Sequence, residues 1–215
     1  ILYERKGIVK YGQFQALKEE RGGSIKLLLE RQIIKFTLIA FLTGIVRTTV
    51  VFWMPTYISQ YLGFSADAAA GIFTVATFVI SATAFIAIFV YEKLKRNMDK
   101  TILIMFVSAV IFFGLTYMVR HPALNILFLV AAIMSSNSSA AMMYSRYCPG
   151  LRDTGMVSSV TGYIDFVSYF SAALATKLFA NAAVTIGWGK LILVWCLLMV
   201  VGVIVSLPYK RKTLR

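Results

Sequence analysis

From Phe36 onward the chain is written in long apolar runs separated by short polar ones. A helix that crosses the hydrocarbon of a bilayer needs about 20 mostly apolar residues. Runs centred on 36–57, 68–90, 101–119, 123–144, 155–176 and 185–207 reach that length. They predict an all-α, polytopic membrane protein with six transmembrane helices. The stretches "QYLGFSAD", "YEKLKRNMDK", "RHP", "SRYCPGLRDT" and a short segment around "NAAVTIGWGK" read as the connections.

Composition supports that class. Hydrophobic residues make up 59% of 215, mean hydropathy is +0.77 and only 14% of residues are charged. A soluble domain of this size has too little polar surface to cover so apolar a chain. The net charge of +13 does not point to nucleic acid, because the basic residues sit in short clusters between the apolar runs. That is the pattern of loops facing a cytoplasm. Cys148 and Cys196 cannot form a disulfide framework.

The basic clusters also give an orientation. The leading segment, the loop with Lys93, Lys95, Arg96 and Lys100, the loop with Arg146 and Arg152, and the tail "YKRKTLR" alternate on one side. The other side holds Arg120 and Lys190, with Lys177 near a span end. Both termini are therefore expected in the cytoplasm. Trp53, Tyr57, Tyr61 and Trp188 fall near the outer ends, as an aromatic belt would. The division expected is a cytoplasmic linker over 1–31, a membrane domain over 32–209 and a tail over 210–215. Within the linker, "SIKLLLERQII" reads either as an amphipathic surface helix or as plain connection. No signal peptide is expected from the charged opening sequence, and the chain, opening on Ile1, reads as cropped.

Polar groups inside apolar runs carry the functional signal. Arg47 is the one charge between Phe36 and Met54, and a charge there costs about 2.5–3.5 kcal/mol on insertion scales. It lies about 11 residues into its span, roughly 16 Å deep. Asp165 lies about 10 residues into the fifth span, roughly 15 Å deep, so an Arg47–Asp165 pair is a geometric candidate. Asp165 reads equally as a proton carrier. A polar stripe runs along the same helix through Ser158, Thr161, Gly162, Ser168, Tyr169 and Thr176. The fourth span carries "SSNSS", with Ser136 and Asn137, and the second presents Thr74, Thr77 and Ser81 on one face. A water-filled cavity accounts for all of them. The alternative is that hydroxyls bond their own backbone or pack helix to helix.

A guanidinium offers a planar fork of donors matched to phosphate or carboxylate, so Arg47 favours an anionic substrate. The single histidine lies in a loop, and neither a nucleophile–base set nor a metal-ligand cluster is visible in the sequence. Neither an enzyme nor a cofactor is expected.

"VRTTVVFWMPTYIS" resembles the seventh transmembrane helix of the organophosphate:phosphate antiporters of the major facilitator superfamily. Arg47, Trp53, Pro55 and Tyr57 stand at the matching positions. "TGMVSSVTGYIDFVSYFSAALATKL", followed by Gly187–Trp188, is similar to the eleventh helix, with Tyr169 where the family has a cavity-facing tyrosine. The likeness covers roughly residues 32–210. It implies the C-terminal six-helix half of that fold, with an N-terminal half as partner. It also implies exchange of a small organophosphate for inorganic phosphate across a bacterial plasma membrane. Arg47 would bind phosphate, lined by Tyr169, Asn137 and Ser136, with Asp165 as charge partner. Gly44 stands where glycerol-phosphate transporters carry a tyrosine, and Glu92 stands nearest the acid of the loop between helices eight and nine. Rival expectations are a proton- or sodium-coupled carboxylate symporter and a non-transporting sensor on the same fold.

Overall fold

The computed structural model describes residues 25–208. Most of the expected linker and all of the tail lie outside the described residues. The order is a short α1 (Ile25–Glu30), α2 (Ile33–Gln60), α3 (Ala66–Ser81), α4 (Thr83–Lys93), α5 (Met98–Met118), α6 (Pro122–Met142), α7 (Val157–Thr185) and α8 (Gly187–Ser206). Five segments are long and apolar enough to cross a membrane: α2, α3 with α4, α5, α6 with its continuation, and α8. Helix α7 has 29 residues, about 43 Å at 1.5 Å per residue, but carries Asp165, Lys177 and a run of hydroxyls. It is therefore long enough to span without matching the others in hydropathy.

Three boundaries differ from those expected from sequence. The second span is broken at Ala82, where α3 ends and α4 begins. Ser81 donates to the Phe78 carbonyl at 2.6 Å, and Thr83 donates to that of Ile80. Such back-bonding competes with the helix ladder and bends it. Helix α6 continues through a wide turn at Met143–Tyr147 and a tight one at Pro149–Thr154, where the sequence reads as a loop. The segment around "NAAVTIGWGK" is mostly helical. Helix α7 runs to Thr185 and the chain turns at Gly187, with φ +77°, a conformation glycine adopts without steric cost.

Helix α2 lies at the centre, in contact with α3, α6, α7 and α8. Small residues set how close its neighbours come. A Cβ at Gly44 would lie 2.6 Å from the Ser171 Oγ and 2.8 Å from the Ser168 Cα. Ser168 donates to the Ala40 carbonyl at 3.1 Å, across the same interface. On the other flank, Trp195 donates to the Thr49 Oγ1 at 3.1 Å. Gly202 accommodates the Phe106 ring, which a Cβ there would meet at 2.5 Å.

Tyr57 is not a belt residue. It is buried, and its hydroxyl donates to the Asn125 Oδ1 at 2.6 Å. The Asn125 amide donates in turn to the carbonyls of Thr116 and Val119, at 2.7 and 2.8 Å. One side chain thus ties the end of α2 to the α5–α6 turn. Tyr57 also packs edge-on against Trp188, with ring centroids 5.6 Å apart.

Candidate functional site

Arg47 lies near the middle of α2, about 13 or 14 residues from either end, or roughly 20 Å. The close α2–α7 approach at Gly44 brings it to α7. Its guanidinium carbon lies 5.9 Å from the centroid of the Tyr169 ring, within the range of a cation–π contact. Arg47 and Tyr169 line a cavity of about 640 Å³, walled further by Thr48, Val51, Pro55 and Phe73. Arg47 is half-buried and Tyr169 is exposed.

The expected Arg47–Asp165 pair is not formed. Ion pairs among the described residues join Arg31 to Asp153, Lys35 to Asp99 and Arg96 to Glu92. Asp165 instead accepts a hydrogen bond at 2.7 Å from Tyr144, in the wide turn that follows α6. Asp165 stands one helical turn before Tyr169, and it is the tyrosine that meets Arg47. Tyr144 was missed, because sequence places it at a helix end where an aromatic residue is unremarkable.

Ser136 and Asn137 do not line the Arg47 cavity. Ser136 is fully buried, and neither its Oγ nor the Asn137 Oδ1 has a hydrogen-bond partner among the described residues. Ser135 and Ser138 donate to carbonyls one turn back, at 2.9 and 2.8 Å. Thr74 and Thr77 do the same at 2.9 and 2.8 Å. All four bond their own backbone, but only Ser135 and Ser138 are buried; Thr74 and Thr77 are exposed. Glu92 is held by the Arg96 Nε at 3.1 Å. Among the described residues no group of acidic, histidine or cysteine side chains is arranged to hold a metal ion.

Fold and site together define a helical membrane protein with a half-buried cation facing a cavity. None of the known protein-family models matches the chain, and no curated protein matches it either.

Proposed function

We propose that the chain is the six-helix half of a secondary transporter for a small organic anion, with α7 as the fifth of its six spans. The anion is read as an organophosphate exchanged for inorganic phosphate in a bacterial plasma membrane. The observation that carries this reading is Arg47: a mid-helix guanidinium, without an ion pair among the described residues, on the wall of a cavity. An intramembrane charge is retained where it has work to do, and a guanidinium fork suits phosphate. Tyr169 contacts the cation through its ring, which cannot accept the in-plane N–H donors as an anion would.

The polar face of α7 supports a second half. Ser158, Ser159, Asp165 and Tyr169 are all exposed, and hydrocarbon tolerates few such groups. Water or further protein must cover them. Alternating access would then rock two halves about a midplane site.

One observation favours the carboxylate symporter as second reading. Asp165 is held by a neutral tyrosine rather than by a cation, so its carboxylate is not committed to Arg47. Exchange of labelled phosphate by the intact protein in phosphate-loaded liposomes tests the two. Exchange without a pH gradient supports the antiporter; uptake of carboxylate alone, dependent on that gradient, supports the symporter.

A further inference from the structure

We propose that a second cavity, where α2 and α5 begin and α6 ends, binds a phosphate group between the Arg146 guanidinium and the Tyr147 hydroxyl. The cavity measures about 540 Å³ and is lined by Arg31, Gln32, Asp99, Arg146, Tyr147 and Gly150, among others. It is separate from the Arg47 cavity, because Arg47 lies about 14 residues up α2 from Ile33, or roughly 21 Å.

The local charges are unequal. Arg31 is held by Asp153, and Asp99 accepts from the Lys35 Nζ at 2.9 Å. Each carboxylate near the cavity therefore has a cation. Arg146 makes no ion pair among the described residues, and its guanidinium carbon sits 4.6 Å from the Tyr91 ring centroid. The ring covers one face of the guanidinium and cannot accept its in-plane N–H donors as an anion would. One positive charge is left uncompensated at the cavity wall.

Tyr147 supplies a second, independent sign. It is 6% exposed, and its buried hydroxyl has no hydrogen-bond partner among the described residues. Buried hydroxyls are nearly always satisfied. The ring is fixed by stacking on Phe36, with centroids 3.6 Å apart. An anion with several acceptor oxygens would satisfy the hydroxyl and Arg146 together. Phosphate has that chemistry, and the ends of membrane-length helices lie at the depth of lipid headgroups. The source is a phospholipid headgroup or a soluble phosphate ester.

The test uses the intact protein in detergent micelles, with bound lipid counted by native mass spectrometry. Phosphatidylglycerol is offered with and without millimolar inorganic phosphate. Arg146→Gln is expected to lower phosphatidylglycerol retention about tenfold. Tyr147→Phe keeps the stack on Phe36 and is expected to lower it about threefold at an unchanged unfolding temperature. Arg47→Lys leaves retention unchanged, so failure here and failure of the transport reading are distinguishable. Displacement of the lipid by inorganic phosphate assigns the site to a soluble phosphate ester, and its persistence assigns the site to lipid. Equal retention of lipid by wild type and Tyr147→Phe, with no effect of phosphate on either, overturns the proposal.

Discussion

The Arg47 guanidinium rests 5.9 Å from the centre of the Tyr169 ring, across the interface of α2 and α7. Two features place it there: a glycine one turn earlier on α2, and a serine one residue earlier on α7. The missing side chain of Gly44 is what lets the helices meet. The first prediction concerns that contact. Gly44→Ala must push Ser168 and Ser171 away, at a cost of about 1–3 kcal/mol for overpacking. A lower unfolding temperature in micelles and weaker anion binding are expected together. Gly162→Ala is the control, because a Cβ there meets nothing within 4 Å.

Asp165 places a negative charge close to the cavity without neutralising Arg47. Asp165→Asn removes that charge, so anion affinity should rise, by roughly 3- to 10-fold for a pair screened by partial exposure. Tyr144→Phe keeps the charge and releases the carboxylate, and should change affinity by less than about threefold. Titration of purified protein with a labelled anion separates the two. A fall in affinity for Asp165→Asn would show that the carboxylate orders the site instead of opposing it.

The Tyr57–Asn125 network predicts an asymmetry. Tyr57→Phe loses one hydrogen bond, worth about 1 kcal/mol. Asn125→Asp keeps the acceptor but removes both donors, leaving the Thr116 and Val119 carbonyls without their amide and a charge in a buried place. Its cost should be roughly 3 kcal/mol or more. Unfolding in a denaturing detergent gives both values, and equal losses would contradict the network.

Much of this was legible in the sequence, and the illegible part has a pattern. Hydrophobic run length located α2, α5 and α6 closely, because spanning a bilayer fixes length. The isolated charge singled out Arg47, and the polar stripe singled out α7. Pairing across helices was not legible, since a rotation or a one-turn slide of α7 exchanges Asp165 for Tyr169 as the neighbour of Arg47. Ala40 and Gly44, small residues four apart, carried a readable sign of the close α2–α7 approach. Hydroxyl positions misled in part, because Ser135 and Ser138, buried and bonded to their own backbone, look in sequence like hydroxyls that face a cavity. The break at Ala82 has a local cause in Ser81 and Thr83, but such residues bend a helix only in some settings.

The central claim is that Arg47 binds the transported anion through its donor fork. Arg47→Lys keeps the charge and the span while replacing two parallel donors with a point charge. The most direct measurement is exchange of labelled phosphate in phosphate-loaded liposomes, wild type against Arg47→Lys, with equal protein inserted. The account predicts exchange by wild type and a loss of about tenfold or more in the variant. Equal exchange by both, in correctly folded protein, would contradict it.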